Sequence, residues 1–221
     1  MISKGEIWGN PFIGLYAVAN EDYCFIPQNA PDKLVTPIME AMDVDIIRAS
    51  IYNSPLIGLF SVINKRGAVL PSVAYSSEIK LFEEHLDVLI LDEYTAIGNL
   101  ISTNDKNAII SPVIKDISSV ESVLGVKARP MTIGGIDVTG SMIVITNSGF
   151  FVSSLASKNE MDEVSRFLGL EGSSGTVNYG NPMVKSGIIA NTKGVVVGEA
   201  TTPYEMGQID EGIGGKDDKN I

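Results

Sequence analysis

The chain is poor in the residues that build metal and redox chemistry: its 221 residues include one cysteine, Cys24, and one histidine, His85. A lone cysteine excludes an internal disulfide framework, and Cys24 with His85 cannot complete the four-ligand set of a structural zinc site. No metal and no cofactor are expected. Long apolar runs are missing too, none approaching the roughly 20 residues that cross a bilayer. Residues 1–10 lack the basic, apolar, small-residue order of a signal peptide. A cytoplasmic protein with no membrane partner is therefore expected. Clustered positive charge is also absent: the 16 Lys and Arg are scattered, no run is longer than Lys65–Arg66, and the formal net charge is -11. This disfavours extensive binding to nucleic-acid phosphates and suits a basic protein partner.

Catalytic groups are equally sparse. Cys24 lies within the strand phrase YCFIP and reads as a small buried hydrophobe. His85, beside Glu83, Glu84 and Asp87, reads as part of a solvated helix face. The carboxylates Asp43 and Asp45, or Asp92 and Glu93, stand in different parts of the chain with no spacing that makes them converge. Gly212, Gly214 and Gly215 follow a helix rather than a strand, which does not suit a phosphate-cradling loop. Trp8 reads as core. No nucleophile, base and orienting group assemble, so an enzyme is not expected.

What the chain has is repetition. A phrase of apolar strand, polar turn and apolar strand returns five times, anchored on Asn20, Asn64, Asn104, Thr146 and Asn191, at intervals of 44, 40, 42 and 45 residues. A period of this length means one supersecondary unit used repeatedly. Each phrase reads as a hairpin, with Gly67, Gly149 and Gly194 supplying positive φ in the turns. Helix starts follow at Thr36–Pro37, at Ser157 with Glu160, and at Thr202 with Pro203 and Glu205. Ile79, Phe82 and Leu86, or Met161, Val164 and Leu168, give each helix one apolar face, and Gly125, Gly169 and Gly212 offer left-handed stops.

A third strand closes each unit in IIRASI, VLILD, ARPMTI and GTVNY. The fifth copy is expected at the other end of the chain, in Glu6, Ile7 and Trp8. The N-terminus then completes the last unit and closes a ring, which removes exposed sheet edges. An open solenoid would need polar caps, and Ile7, Trp8 and Phe12 are poor ones. The expected organisation is one closed domain over residues 1–212, with repeats at about 14–57, 58–97, 98–139, 140–186 and 187–212 plus 1–13, and a flexible tail at 213–221. Gly14, Gly58, Gly98, Gly140 and Gly187 precede the first strand of each unit and are expected to meet around the pseudo-fivefold axis on one face, serving turns that need positive φ. Closed edges favour a monomer.

Four phrases in order, GAVLP at Gly67–Pro71, AIGN at Ala96–Asn99, GTVNYG at Gly175–Gly180 and TTPYE at Thr201–Glu205, resemble the translation initiation factor 6 family. The resemblance runs from Asn10 to about Gly212, and the short C-terminus is similar to the archaeal form rather than the long-tailed eukaryotic one. It implies a pseudo-fivefold, five-bladed α/β propeller (pentein) of β-β-α-β units. It implies a ribosome anti-association factor bound to the large ribosomal subunit through a basic ribosomal protein near the sarcin-ricin loop, with limited direct RNA contact. The mechanism it implies is steric. Matching family positions point to ribosome binding by Asn99, by Leu59, its equivalent one unit earlier, and by Met183 on the turn after GTVNYG. Guanidine-modifying hydrolases share the ring architecture, but they would require a late catalytic cysteine, and none follows Cys24. A protein-interaction ring with a non-ribosomal partner is the other alternative.

Overall fold

The computed structural model describes Met1–Gly214, so the expected tail beyond Gly214 lies outside the described residues. Each Asn or Thr anchor begins a reverse turn by accepting backbone N–H groups two and three residues ahead. Asn20 Oδ1, for example, accepts from Asp22 (2.9 Å) and Tyr23 (2.7 Å). These turns join β2 (Val18–Ala19) to β3 (Tyr23–Pro27), β5 (Val62–Ile63) to β6 (Gly67–Pro71), and β8 (Ile101–Thr103) to β9 (Asn107–Ile110). They also join β11 (Ile143–Ile145) to β12 (Phe150–Ser153) and β14 (Ile188–Ala190) to β15 (Val195–Gly198). A third strand then pairs in parallel with the second of each hairpin: β4 (Asp45–Ala49), β7 (Asp87–Leu91), β10 (Lys127–Pro130), β13 (Gly172–Gly175) and, for the last sheet, β1 (Ile2–Gly5).

Among the described residues the result is five three-stranded sheets arranged as the blades of an α/β propeller. The chain closes on itself as expected, but through β1, with Ile2 opposite Val195 and Gly5 opposite Gly198, not through Glu6–Trp8. Third strands end earlier than expected elsewhere too, because the apolar residues after them serve another purpose. Ile7, Ile51, Ile133 and Val177 are fully buried anchors of small turns, bridged to Asn10, Ser54, Ile136 and Asn181. Within these turns Trp8, Tyr52, Asn53, Asn178 and Tyr179 have positive φ. Trp8 is consequently 54% exposed and not a core residue.

Five helices complete the units: α1 (Asp32–Met42), α2 (Ser76–Glu83), α3 (Ile117–Leu124), α4 (Lys158–Leu168) and α5 (Pro203–Ile213). Capping boxes start α4 at Ser157 and α5 at Thr202, and Gly125 and Gly169 end α3 and α4 in the left-handed conformation, as expected. Helix α1 starts five residues before its expected site, placing Pro37 inside it. A proline there cannot bond the carbonyl four residues back. That carbonyl, of Lys33, instead accepts from Glu6 N–H (3.4 Å), while Lys33 Nζ meets Glu6 Oε1 at 2.6 Å, so the break in α1 becomes a link to the N-terminal segment. Gly212 does not stop α5: the helix runs on to Ile213, which is buried rather than part of a tail.

Each helix packs on the sheet of the preceding blade. Phe82 of α2 is stacked on Phe25 of β3, centroids 4.2 Å apart, within a cluster holding Ile51, Ile57, Ile63 and Leu70. Burying side chains of this size contributes about 1.5–3 kcal/mol each. Five such clusters therefore hold the ring together between blades rather than around the axis. The hairpin glycines serve this packing. Gly67, Gly149 and Gly194 do not have positive φ; a methyl group on them would overlap the carbonyls of Val123, Gly212 and Ala41 on the neighbouring helices.

Candidate functional site

The inner strands β2, β5, β8, β11 and β14 surround an axial channel whose two mouths differ. At one mouth the turn anchors form a ladder. Asn20 Nδ2 donates to Asn64 O (2.9 Å), Asn64 to Asn104 O (3.1 Å), Asn104 to Thr146 O (3.0 Å) and Asn191 to Asn20 O (3.3 Å). Thr146, lacking an amide donor, leaves the one gap. The residues that follow form a second layer: Glu21 accepts from Asn147 Nδ2 (3.1 Å) and Thr192 Oγ1 (2.5 Å), and Asp105 accepts from Asn147 Nδ2 (2.6 Å) and Lys65 N–H (2.9 Å). This mouth is tied shut by its own polar groups, and only about 20 Å³ remains open beneath it.

The opposite mouth is built by five one-turn helical segments: Ile13–Leu15, Ile57–Phe60, Ile97–Leu100, Thr139–Met142 and Val184–Gly187. Each packs against the next around the axis. Six residues before each ladder anchor the axial position is Gly14, Gly58, Gly98 and Gly140, but in the fifth unit it is Lys185. Gly187, the expected fifth member, sits two residues later and faces Val177 and Asn178. The glycines are required by close approach and not by positive φ, which none of the five has. A methyl on Gly58 would overlap Gly14 O, one on Gly98 would overlap Gly58 O, and one on Gly14 would overlap Lys185 O.

Leu59 and Asn99 occupy the same register position, one residue past the axial glycine, and both are half-buried. The Asn99 N–H donates to Ala96 O (3.0 Å), while its carboxamide makes no hydrogen bond among the described residues. Met183 is not their equivalent. It stands two residues before Lys185 as the N-cap of its turn, 44% exposed, with its N–H on Asn181 Oδ1 at 3.1 Å. The three residues thus share one end of the ring.

Because the second and third strands of each blade run toward this end, the bridged turns and the helix N-termini gather here as well. Ten large hydrophobic side chains are exposed among the described residues, and seven stand at this end: Trp8, Tyr52, Tyr75, Leu155, Tyr179, Met183 and Tyr204. Sequence reading missed all but Met183. The available signal was position, since Trp8 and Tyr52 stand one residue, and Tyr179 two residues, after a buried apolar anchor just past a third strand.

Buried glutamates hold these turns. Glu78, at the third position of α2, accepts from Ser50 Oγ (2.7 Å), Tyr52 N–H (2.7 Å), Asn53 N–H (2.9 Å) and Tyr75 N–H (2.9 Å). Glu205, at the same position of α5, accepts from Thr176 Oγ1 (2.7 Å), Tyr179 N–H (3.2 Å), Gly180 N–H (2.8 Å) and Thr202 N–H (2.7 Å). Burial pushes both carboxyls up, but the bonds they accept outweigh it and hold them below the usual carboxylate range. Glu160 of α4 does the same for Gly134 N–H (2.9 Å). One carboxylate thus caps a helix and fixes a turn of the preceding blade.

A model of the eIF-6 family matches residues 2–212. The chain belongs to the eIF-6 family. Relatives named translation initiation factor 6 come from archaea. That of Thermoplasma acidophilum is 39% identical over 217 residues, covering 96% of this chain and 99% of the relative. Those of Methanocorpusculum labreanum and Pyrococcus horikoshii are 34% and 31% identical, covering 93% and 96% of this chain and 96% and 98% of theirs. Two solved structures of dimethylarginine dimethylaminohydrolase are similar at 10% and 11% identity with TM-scores of 0.46 and 0.44; each covers 92% of this chain, and the match spans 74% and 73% of their own length. As a member of the eIF-6 family the protein is a translation initiation factor. Its cysteine is not placed for nucleophilic chemistry: Cys24 is fully buried, and burial pushes its thiol far above the usual range. His85 is exposed beyond the end of α2, its ring 4.9 Å from that of Tyr23.

Proposed function

We propose that this translation initiation factor binds the large ribosomal subunit through the glycine-lined end of its ring and sterically prevents the small subunit from joining. The observation that carries this reading is the crowding of exposed aromatic and apolar side chains at that end, around Asn99, Leu59 and Met183. Aromatic residues and methionine are enriched at protein interfaces, and an apolar centre within a polar rim is how such interfaces are built. The partner is a basic ribosomal protein near the sarcin-ricin loop, whose charge complements a formal -11; direct RNA contact stays limited for the same reason. The factor works as a monomer in the cytoplasm and performs no chemistry on the ribosome. A nanomolar complex corresponds to about -12 kcal/mol, which a few well-buried anchors can supply.

Sucrose-gradient sedimentation tests the reading. Purified large subunits should carry the protein into the gradient, and its addition should lower the fraction of joined ribosomes when small subunits are supplied. Protein that stays at the top of the gradient at both low and physiological salt would overturn it.

A further inference from the structure

Lys185 is the exception in the axial ring, and its side chain crosses the channel. Where the other four units place glycine, the fifth extends an ammonium to Gly98 O at 2.8 Å and Ile101 O at 2.9 Å, both in the third unit. These are the same carbonyl positions that, in the first and second units, pack against the next unit's axial glycine: Gly14 O and Ala17 O against Gly58, Gly58 O and Ser61 O against Gly98. Gly98 and Ile101 also bracket Asn99. Carbonyls at the end of a one-turn helix lack intrahelical donors, and a lysine ammonium is suited to satisfy two at once.

We infer that Lys185 is a positioning residue, whose ammonium ties the turn Ile97–Leu100 across the axis and so fixes how Asn99 is presented. The inference rests on the docking reading given above only for the consequence of that presentation. Lys185 is half-buried, lines a channel cavity of about 50 Å³, and has both carbonyl acceptors of its ammonium inside the ring. Apart from Gly14 and Ala17, the other residues lining this cavity come from the five inner strands, and none is titratable; Ser102 and Thr103 contribute hydroxyls. The acidic layer of Glu21 and Asp105 belongs to the opposite mouth. With no carboxylate facing it, burial lowers the Lys185 pKa to about 7. The tie is therefore charged below neutrality and loses its charge above it.

The contribution of Lys185 to stability and its effect on docking then move in opposite directions with pH. The unfolded chain keeps this lysine protonated up to its ordinary value of 10.5, so between about 7 and 10.5 the unfolded state binds more protons, and this group's contribution to stability rises with pH. Docking, if Asn99 must be held, weakens over the start of the same range. A loss of stability arising from Lys185 titration cannot produce that pattern.

The test compares wild type, Lys185→Met and Lys185→Arg by co-sedimentation with large subunits at about pH 6 and about pH 8.5, and by amide exchange in the free protein. Wild type should bind about fivefold more weakly at the higher pH; Lys185→Met should bind weakly at both; Lys185→Arg, whose guanidinium stays charged, should hold the lower-pH affinity at both. In the free protein, the Asn99 and Ile101 amides, bonded to Ala96 O and Ile97 O, should exchange about tenfold faster in Lys185→Met. Their equivalents at Leu59 and Ser61 should not change. Unaltered exchange at Asn99 and Ile101, or wild-type binding and pH profile in Lys185→Met, overturns the inference. Faster exchange with no subunit binding by wild type overturns the docking reading and supports the tether.

Discussion

Asn191 Nδ2 donates to the carbonyl of Asn20 at 3.3 Å and to that of Met42 at 3.0 Å, which joins the last blade to the first across most of the chain. The same side chain shapes its own turn by accepting from Lys193 and Gly194 N–H. One buried amide thus serves local structure and ring closure together.

That dual role makes the ladder a sensitive point. Asn64→Ala removes donors to Asn104 O and Leu124 O and the acceptor for Arg66 and Gly67 N–H, and should cost about 2–3 kcal/mol in urea unfolding. Thr146→Asn supplies the donor missing from the ladder and should add about 0.5–1 kcal/mol. A loss of stability in that variant would show that the gap is set by space and not by hydrogen bonding.

The stack between blades predicts a packing penalty. Phe82→Ala removes the ring lying parallel to Phe25 within 4° and opens a cavity in a fully buried cluster. Thermal and urea unfolding should report a loss of about 3–5 kcal/mol.

Acid should loosen the turns before it unfolds the rest. Glu78 and Glu205 have carboxyls held below their ordinary value of 4.5, so their stabilisation is present above that value and is lost as pH falls through the lower folded-state values. Melting temperature followed from about pH 6 down to about pH 3 should fall most steeply below about 4.5. Glu205→Gln should flatten that fall while costing about 1–3 kcal/mol at neutral pH, since its amide leaves some of four donors poorly matched.

At the candidate docking end, Asn99→Glu, Met183→Asp and Tyr179→Ala should each weaken large-subunit binding by about tenfold or more, read by co-sedimentation. Tyr179 is 84% exposed and Met183 is 44% exposed, so the melting temperatures of those two variants should change little. Unchanged binding in all three would move the interface elsewhere on the ring.

By itself the sequence determined the repeat, the hairpins and the caps at Ser157, Thr202, Gly125 and Gly169, because each depends on residues a few positions apart. A buried asparagine accepting from the amides two and three residues ahead, or Ser157 with Glu160, carries its geometry within one turn of chain. The ring itself was also legible, since an unpartnered strand had to be found for the fifth sheet. Tertiary structure decided the rest. Gly172–Gly175 has little strand propensity and becomes β13 only by pairing with β12, while Ile7 and Val177 look like strand residues but anchor turns. That α2 packs on the blade before it, that Glu78 and Glu205 reach into that blade, and that Trp8 faces solvent are facts about neighbouring units. Lys185 shows the division within one residue. Its register, six before Asn191, can be counted in the chain, but which carbonyls its ammonium reaches depends on the width of a channel that exists only once five blades have closed.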